Sequence, residues 1–288
     1  MNRAVLLGLF DGLHRGHMSA VEELKRFDGK KLVLTFCSEG FAPKGGRGLL
    51  MTDERRRGGL LNAGADEVIF KRFSDIGGMS PKEFADRVLS GELCADRVIC
   101  GENFRFGLNA SAGAEDLKEL MRPHGAEVKI VPLVYDGGEP ISTTRIRCLL
   151  EAGKISEANR LLGYAYGFEG RIIRGSQIGR QMGIKTVNIA FDRRLALPKK
   201  GVYFSEVSLD GSVWAGVTNI GERPTVHDDG EIVIETHILG FDGDVYGESA
   251  KVSLREFLRE EKRFGSVREL RTAVEHDIKT VKELISHE

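Results

Sequence analysis

Neither sign of charge is in excess in this sequence, and cysteine is scarce. Lys and Arg total 42 and Asp and Glu total 43, so the formal net charge is -1. A domain that binds nucleic-acid phosphates usually carries a basic excess, and we therefore expect no nucleic-acid partner. The four cysteines contain no C-x-x-C pair, which argues against a zinc site or a disulfide framework. We expect buried, reduced thiols at Cys37, Cys94, Cys100 and Cys148.

The sequence also lacks an apolar run of the roughly 20 residues that are needed to cross a membrane. No cleavage site of a leader peptide follows the short apolar stretch near the N-terminus, so we expect a cytoplasmic protein without a membrane partner. A hydrophobic content of 41% excludes intrinsic disorder. At about 150 residues per domain, 288 residues predict two domains. Only 7 prolines accompany 36 glycines, which indicates places where the backbone approaches a ligand closely.

The first half alternates short apolar runs with helical patterns, which predicts a doubly wound, Rossmann-like α/β domain over residues 1–157. The nearly continuous Val, Ile and Leu content of these runs is typical of parallel strands that are buried on both faces. A capping box with proline at the first helical position, Ser80 to Glu83, starts one of the intervening helices. The predicted strands are residues 4–10, 31–36, 67–70, 97–100 and 127–134.

The second half, residues 158–288, changes to alternating strands joined by Asp-Gly turns, which predicts an antiparallel barrel or sandwich. In one strand, residues 232, 234, 236 and 238 face one side, and residues 233, 235, 237 and 239 face the other. A final segment has the helical period and follows a second capping box, Ser266 to Glu269. We expect this helix to cover one face of the barrel, and we expect a hinge at residues 163–167.

A candidate phosphate site follows the first strand, where residues 8–17 read G-L-F-D-G-L-H-R-G-H. A helix begins here, and the amides and positive dipole end of a helix N-terminus attract phosphate. Imidazoles at this place can stabilise the charge that develops as a phosphoanhydride rearranges. The alternative is a glycine-rich turn with two solvated histidines. The candidate residues are Gly8, Phe10, Asp11, Gly12, His14, Gly16 and His17.

Two further segments are expected at the same edge of the sheet. Residues 142–145 follow the fifth strand and open a helix. Their hydroxyls and arginine can grip a triphosphate, although hydroxyls at this place can also simply cap the helix. Residues 101–107, which read G-E-N-F-R-F-G, add polar and aromatic groups after the fourth strand. The candidate residues are Asn103, Ser142, Thr143, Thr144 and Arg145.

A second candidate site lies in the second half, where no P-loop motif occurs. Three glycines interrupt a strand-rich segment there and indicate either a loop around phosphates or a mobile hairpin loop. Thr186 and Asn188 are two residues apart, so on a strand their oxygens face one side and can hold magnesium with nucleotide phosphates. Glu235 stands in mid-strand, where a carboxylate can be a base toward a phosphoryl acceptor hydroxyl or can belong to an exposed barrel face. The glycines are Gly175, Gly179 and Gly183.

These motifs resemble the bifunctional riboflavin kinase/FAD synthetase family over nearly the whole chain. In the first half, the similar segments are G-x-F-D-G-x-H-x-G-H, G-E-N-F-R-F-G and S-T-T-R-I-R. In the second half they are G-R-x-x-G-x-x-T-x-N at residues 179–188, L-P-K-K-G-V-Y at 197–203, N-I-G-E-R-P-T at 219–225 and E-T-H at 235–237. The resemblance implies an H-x-G-H nucleotidylyltransferase domain followed by a six-stranded antiparallel barrel with a C-terminal helix.

The resemblance implies two reactions that use ATP and Mg²⁺. The barrel would phosphorylate riboflavin to FMN with release of ADP, and the first domain would transfer AMP onto FMN to give FAD and pyrophosphate. It also implies that His14 and His17 handle phosphates, that Asn103 and Arg145 bind nucleotide, and that Glu235 is the base on the riboflavin 5′-hydroxyl. In the barrel it implies Gly175, Gly179, Arg180 and Gly183 for nucleotide, Thr186 and Asn188 for Mg²⁺, and Asn219, Gly221, Arg223 and Thr225 for flavin.

Departures from the family pattern leave alternatives open. Family members usually follow the second strand with Phe-x-Pro-His-Pro, whose histidine belongs to the nucleotide site, whereas C-S-E-G follows Phe36 here. One alternative is therefore a riboflavin kinase with a weakened or inactive adenylyltransferase domain. Lys185 and Val187 replace the family's Pro and Ala, but the neighbouring Thr and Asn remain, so we expect an active kinase. Another alternative is a non-catalytic flavin- or nucleotide-binding regulator, against which the retained Glu235 argues. A cytidylyltransferase would explain H-x-G-H alone.

Overall fold

The computed structural model describes residues 2–39, 47–174, 185–223, 231–262 and 264–286. The chain forms two compact units, Met1–Arg145 and Ile146–Glu288. This division lies N-terminal to the predicted boundary at residues 157/158. The segment after Arg145 bonds within the second unit, since the carbonyl of Leu150 accepts from the backbone N–H of Lys199 at 2.9 Å. None of the described helices is long and apolar enough to cross a membrane.

The first unit is built on a parallel sheet, as the sequence predicts. Its strands are β1 (Arg3–Leu7), β2 (Lys30–Phe36), β3 (Glu67–Lys71), β4 (Arg97–Gly101) and β7 (Glu127–Val131). They form a five-stranded sheet in the order β3-β2-β1-β4-β7, with β1 parallel to both β2 and β4 at its centre. Because every pairing is parallel, the carboxyl ends of all five strands meet at one edge of the sheet.

Side chains cap the starts of three helices of the first unit, at His14, Thr52 and Ser80. The helices of this unit are α1 (Arg15–Lys25), α2 (Asp53–Asn62), α3 (Phe73–Ile76), α4 (Pro81–Glu83) and α5 (Ala114–Met121). The predicted capping box of α4 is confirmed, because Ser80 and Glu83 each bond the other's backbone N–H through the side chain. A π-helix, Phe84–Glu92, continues α4. Two small hairpins pair β5 (Arg105–Phe106) with β6 (Ala112–Gly113) and β8 (Tyr135–Asp136) with β9 (Glu139–Pro140).

The second unit contains a closed barrel of six antiparallel strands, which confirms the expected architecture. After α6 (Thr143–Glu151) and α7 (Ile155–Leu162), its elements are β10 (Gly167–Ile173), β11 (Val187–Ala190), β12 (Gly201–Leu209), β13 (Ser212–Arg223), β14 (Glu231–Ile238), β15 (Ser249–Glu260) and α8 (Val267–Ser286). The strand order around the barrel is β10-β11-β14-β13-β12-β15.

The two faces of β14 differ in burial, as its alternating sequence predicts. Ile234, Thr236 and Ile238 are buried, whereas the residues between them are only partly buried. The buried face carries a chain of hydroxyls, because Thr218 Oγ1 lies 2.6 Å from Ser205 Oγ and 2.9 Å from Thr236 Oγ1. All three residues are completely buried. Each hydroxyl therefore has a partner in a place where an unpaired polar group would destabilise the fold.

The C-terminal helix α8 covers the outer face of the barrel. Val281 of this helix is completely buried in a cluster with Val202 and Phe204 of β12. The predicted cap is confirmed, since the N–H of Glu269 donates to Ser266 Oγ at 3.2 Å. An ion pair also attaches the helix, because Arg259 of β15 donates to both carboxylate oxygens of Asp277, at 2.9 Å from Nε and 2.7 Å from Nη2. Apolar packing and this partly buried ion pair together hold α8 on the barrel.

The cysteines are free thiols, as expected, but the expectation of burial is wrong for most of them. Only Cys100, on β4, is buried, and burial raises the pKa of its thiol to about 12. Cys37 is partly exposed, and Cys94 and Cys148 are exposed. Cys94 occupies a turn with a positive φ of 49° after the π-helix, and Cys148 lies on the exposed side of α6. Their exposure follows from their place in these elements rather than from the apolar character of the thiol.

We expect Asp277→Asn to destabilise the barrel unit by about 1.5–3 kcal/mol, because it removes the charged partner of a partly buried ion pair. A matched control on the same helix is Glu275→Gln, since Glu275 forms an exposed pair with Arg271 and should contribute only about 0.3–0.5 kcal/mol. Trp214 lies on β13 and is the single tryptophan of the chain, so its fluorescence during urea unfolding reports on the barrel. Equal unfolding midpoints for the two variants would contradict a docking role for the Arg259–Asp277 pair.

Candidate active sites

Two histidines meet at the start of α1, beside the carboxyl end of β1. His14 is the N-cap of the helix, and its Nδ1 accepts from the backbone N–H of His17 at 3.2 Å. The two imidazole rings stack with centroids 3.6 Å apart, and the ring of Phe10 contacts His17 edge-on at 5.4 Å. A Cβ atom at Gly16 would lie 3.1 Å from the His14 ring, so glycine leaves room for this stack. The predicted cluster therefore exists as a packed unit and not as a solvated turn.

Burial keeps both imidazoles neutral near pH 7. The pKa of His14, which is 5% exposed, falls to about 4 because burial disfavours the charged ring. The pKa of His17 also lies well below its ordinary value, first because of burial, and then because a protonated His14 and the Arg56 charge would repel a charged ring. Since Nδ1 of His14 accepts a hydrogen bond, the proton of the neutral ring is on Nε2, which can donate. Nδ1 of His17 is buried and has no partner among the described residues.

A cavity of about 680 Å³ lies at this edge of the sheet. Several of the candidate residues line it, namely Gly8, Phe10, His14, Gly16, His17, Asn103, Ser142 and Thr143. Sequence reasoning missed most of the apolar wall, which consists of phenylalanine rings from separate segments: Phe36, Phe73, Phe84, Phe104 and Phe106. A cavity with an aromatic wall and a few polar groups at one end suits a flat ring system that carries a charged tail.

Other candidates in the first unit do not line this cavity. Asp11 is 1% exposed, and its Oδ1 accepts from the backbone N–H groups of Leu50 and Met51 at 2.9 and 3.1 Å. Gly12 adopts a positive φ of 82° in the adjoining turn. Thr144 is exposed on α6. Asp11 therefore fixes the chain near residue 50, and that contact links segments too distant in sequence to be read from the motif.

Arg145 also contacts the protein itself. Its Nη1 donates to the carbonyls of Asp136 and Glu139 at 2.9 and 3.1 Å, and its Nε lies 3.2 Å from the Glu139 carboxylate. The backbone N–H of Arg145 donates to Ser142 Oγ, so the hydroxyl caps α6 as the simpler interpretation anticipates. In this structure the arginine holds the β8–β9 hairpin beside the cavity.

Sequence reasoning missed a buried arginine at this edge of the sheet. Arg56, on α2, is 1% exposed and donates to the carbonyls of Leu9 and Phe36 at 2.6 and 2.5 Å. Its Nη2 also pairs with Asp53 Oδ1 at 2.6 Å, and the hydroxyl of Thr35 donates to the Leu9 carbonyl at 3.0 Å. These bonds fix the backbone at the ends of β1 and β2, where the cavity begins. The D-E-R-R-R-G-G sequence of α2 resembles a solvated helix, so no local signal marks this position.

The segment that departs from Phe-x-Pro-His-Pro joins the same network. The backbone N–H of Ser38 donates to Asp53 Oδ2 at 2.8 Å, and the N–H of Cys37 donates to the Lys71 carbonyl at 3.0 Å. A proline at position 38 would have no N–H for the bond to Asp53. Glu39 stands where the family has its histidine, and it is exposed. This chain therefore fixes the end of β2 by hydrogen bonds to α2 and β3.

In the barrel, the strand register brings the predicted polar residues into one row. Asn188 of β11 and Asn219 of β13 are both register partners of Glu235 on β14, which lies between them. Thr186, just before β11, donates from Oγ1 to Glu235 Oε1 at 2.5 Å. The other carboxylate oxygen accepts no hydrogen bond from any described residue, so it is available to take a proton. A carboxylate, a hydroxyl and two amides thus meet on one face of three adjacent strands.

The other candidate residues of the barrel lie near this row or outside the described residues. Gly221 lies two residues beyond Asn219 on β13, and a Cβ atom there would require the exposed Glu261 side chain to move. Arg223 ends β13. Lys185, the replacement for proline, pairs through its ammonium group with Asp242, and its carbonyl lies 2.7 Å from His237 Nδ1. Five candidates lie outside the described residues: Gly175, Gly179, Arg180, Gly183 and Thr225.

Comparisons with known proteins identify both halves of the chain. A family model for FAD synthetase matches residues 1–145, and a family model for riboflavin kinase matches residues 162–285. The bifunctional riboflavin kinase/FMN adenylyltransferase of Pseudomonas fluorescens is 33% identical over 96% of this chain and 91% of its own length. The protein of the same name from Escherichia coli K12 is 31% identical over 96% of this chain and 91% of its own length.

A solved structure shares the fold over the same extent. The crystal structure of a macrolide-efflux protein from Streptococcus pneumoniae superposes with a TM-score of 0.88 at 28% identity, covering 98% of this chain and 94% of that one. The two family models, the relatives and the sheet and barrel architecture agree with one another. The chain belongs to the family of bifunctional riboflavin kinase/FMN adenylyltransferases.

Proposed function

We propose that the barrel unit converts riboflavin and ATP to FMN and ADP, and that the sheet unit converts FMN and ATP to FAD and pyrophosphate. ATP is the co-substrate of both activities, because one is a kinase and the other an adenylyltransferase. The observation that carries the proposal is that each unit brings together a set of polar groups suited to one of these reactions. The row at Glu235 suits phosphoryl transfer, and the histidine pair beside the cavity suits attack on a phosphoanhydride.

In the barrel, Glu235 is the base on the riboflavin 5′-hydroxyl. Its Oε2 atom, which accepts no hydrogen bond from a described residue, takes the hydroxyl proton as the oxygen of riboflavin attacks the γ-phosphorus of ATP and ADP leaves. The Thr186 hydroxyl holds the other oxygen and so orients the carboxylate. Asn219 and Gly221 flank the same row on β13 and would contact the flavin, together with Arg223 and Thr225.

The donor set of this row also fits Mg²⁺. Threonine hydroxyl and asparagine carbonyl oxygens are hard ligands, and a hydroxyl that donates to Glu235 keeps its oxygen lone pairs for a cation. We assign Thr186 and Asn188 to the metal, with ATP phosphates as further ligands, where Mg²⁺ would offset phosphate charge. Among the described residues, no cluster of three or more His, Cys, Asp and Glu could hold a metal ion by itself. The nucleotide loop would be completed by Gly175, Gly179, Arg180 and Gly183.

In the sheet unit, a phosphate oxygen of FMN attacks the α-phosphorus of ATP, and pyrophosphate leaves. The aromatic wall of the cavity would accept the flavin ring, with phosphates near the start of α1. His14 and His17 would contribute as neutral imidazoles that donate hydrogen bonds to the developing charge, with no covalent enzyme intermediate. Asn103, Ser142 and Thr143 line the cavity and would bind nucleotide. Arg145 would reach a phosphate only by leaving the Glu139 carboxylate.

A riboflavin kinase with a weakened or inactive adenylyltransferase domain is less favoured than the bifunctional enzyme. The missing histidine removes one phosphate-facing donor, which can cost about 2.7–4 kcal/mol of transition-state stabilisation if nothing replaces it. However, the FAD synthetase model matches residues 1–145, which include the altered segment. The Ser38–Asp53–Arg56 bonds also fix the end of β2 without the two prolines. Both features support adenylyl transfer by this unit.

The direct test is product analysis with the full chain. Purified protein is incubated with riboflavin, ATP and Mg²⁺, and riboflavin, FMN and FAD are separated by chromatography over time. We expect FMN to form first and FAD to follow from it. Accumulation of FMN without FAD would contradict the proposed activity of the sheet unit, and recovery of riboflavin alone would contradict both assignments.

Glu235→Gln should abolish FMN formation and leave the conversion of FMN to FAD unchanged. The amide cannot accept the hydroxyl proton, and a loss of at least about 10²-fold in kcat is expected for a general base. Glu231→Gln is the matched control, because Glu231 lies on the same strand in an exposed ion pair with Arg193. If both steps decline equally in Glu235→Gln, the assignment of the base is wrong.

The histidine pair predicts how stability depends on pH. The folded pKa of His14, about 4, lies below the unfolded value of 6.5. Below pH 6.5 the unfolded chain therefore binds a proton that the folded protein excludes, and the free energy of unfolding falls as the pH falls toward 4. Between pH 7 and 4.5 this loss is about 2–3 kcal/mol for His14 alone, at about 1.4 kcal/mol per pKa unit.

His14→Asn keeps an N-cap side chain but removes this titration. We expect the variant to gain about 2–3 kcal/mol relative to the unmodified protein between pH 7 and pH 4.5. Urea unfolding is followed by far-UV circular dichroism and by Trp214 fluorescence. Because Trp214 lies in the barrel, a circular dichroism transition without a change in its fluorescence reports the unfolding of the sheet unit. His276→Asn on α8 is the control, because His276 is exposed. Parallel pH curves for the unmodified protein and His14→Asn would show that His14 is not buried in its neutral form.

A further inference from the structure

His237 lies two residues beyond Glu235 on β14, on the same face of the barrel, and it is partly buried. Its Nδ1 is 2.7 Å from the carbonyl oxygen of Lys185. A carbonyl oxygen can only accept, so the hydrogen bond fixes a proton on Nδ1 of the imidazole. On its other side, His237 has the apolar Val217 of β13 as its register partner. Within the described part of the chain, the polar contact of this ring is therefore with the backbone that leads into β11.

Lys185 and Thr186 form this stretch of backbone, just before β11. β11 begins at Val187, and its register with β14 pairs Val187 with Thr236 and Asn188 with Glu235. Thr186 and Lys185 therefore precede the ladder of strand hydrogen bonds. The Thr186 hydroxyl nevertheless donates to Glu235 Oε1 at 2.5 Å, a contact that requires the chain to approach β14 at this point. The hydrogen bond from His237 to the Lys185 carbonyl is a second link between this stretch and β14.

We propose that His237 is a positioning residue for phosphoryl transfer in the barrel, acting through the Lys185 carbonyl to hold the Thr186 hydroxyl on Glu235. The inference rests on the proposed kinase function and adds a residue that transmits its effect through the backbone. A displaced Thr186 would lose its orientation toward both the carboxylate and the nucleotide phosphates. The expected consequence is a lower kcat together with a higher KM for ATP, while the KM for riboflavin changes little.

Lys185 also forms an ion pair through its side chain, in addition to the hydrogen bond between its carbonyl and His237. The Lys185 ammonium group pairs with Asp242, but the two side chains are 62% and 85% exposed. Ion pairs at this exposure are screened by solvent and contribute little to stability. The hydrogen bond from His237 to the Lys185 carbonyl, by contrast, joins β14 to the residues just before β11. The imidazole and not the surface ion pair is therefore the anchor, and Asp242→Asn serves as the matched control.

A chemical role for the His237 ring makes a different prediction from a positioning role. Asparagine has its side-chain nitrogen at nearly the same distance from the backbone as Nδ1 of histidine, so His237→Asn can still donate to the Lys185 carbonyl. Glutamine carries its nitrogen one bond further out, where it corresponds to Nε2. Neither amide titrates near neutral pH. A proton-transfer role would be lost in both variants, whereas a positioning role survives only in asparagine.

The experiment measures kcat and KM for FMN formation by the full chain with His237→Asn, His237→Gln, His237→Ala and Asp242→Asn. We expect His237→Asn and Asp242→Asn to stay within about threefold of the unmodified protein. His237→Gln and His237→Ala should lose about tenfold to hundredfold in kcat, the range for displacement of a catalytic group by about 1 Å. In these two variants the KM for ATP should rise about threefold or more, with the KM for riboflavin within about twofold, as expected for misplaced phosphate ligands.

Conversion of FMN to FAD and the unfolding midpoint of Trp214 fluorescence test folding in each variant. If His237→Ala does not fold, the comparison of His237→Asn with His237→Gln decides the question. Equal impairment of Asn and Gln variants would overturn the positioning role, and so would activity of His237→Gln equal to that of the unmodified protein. Failure of the unmodified protein to form FMN would instead contradict the kinase function itself, so the two failures are distinguishable.

Discussion

The first unit depends on one buried cation, the guanidinium group of Arg56. A charge withdrawn from water needs local partners, and the two Nη atoms of this group bond the carbonyls of Leu9 and Phe36 and the Asp53 carboxylate. The buried Nε has no partner among the described residues. The Leu9 carbonyl lies two residues beyond the end of β1 and the Phe36 carbonyl ends β2, so the bonds to the charged group also fix the rim of the cavity. The charge also contributes to the low pKa of His17. Arg56 therefore influences both the shape of the cavity rim and the protonation of His17.

The barrel builds its site in another way. Its polar groups lie on or beside adjacent strands, and pairing alone brings Asn188 and Asn219 to Glu235. No buried cation is needed there, because the ladder of backbone hydrogen bonds already defines each position. The exception is Thr186, which precedes its strand and relies on side-chain contacts. The two units therefore position their polar groups differently. In the sheet unit, hydrogen bonds from a buried arginine fix the loops at the strand ends, whereas in the barrel the pairing of the strands places the side chains.

Sequence patterns predicted the features that depend on local order along the chain. The alternation of β14 indicated which face carries Glu235, and the two histidines at a helix start indicated a cluster beside the first strand. Features that join distant segments were not predictable. The sequence around Arg56 is that of a solvated helix, and the bonds from Arg145 to the β8–β9 hairpin depend on tertiary folding. The aromatic wall, likewise, is assembled from rings that lie far apart in the chain.

The buried hydroxyl chain of Ser205, Thr218 and Thr236 has a consequence for how the barrel avoids misassembly. A slip of one residue between strands reverses which side chains point inward. Such a slip would separate these hydroxyls from one another and bring Glu235, the neighbour of Thr236, into the apolar interior. Both changes are unfavourable, so misregistered barrels are disfavoured before any ligand binds. The three hydroxyl side chains inside the barrel thereby help to keep Glu235 on the outer face of β14.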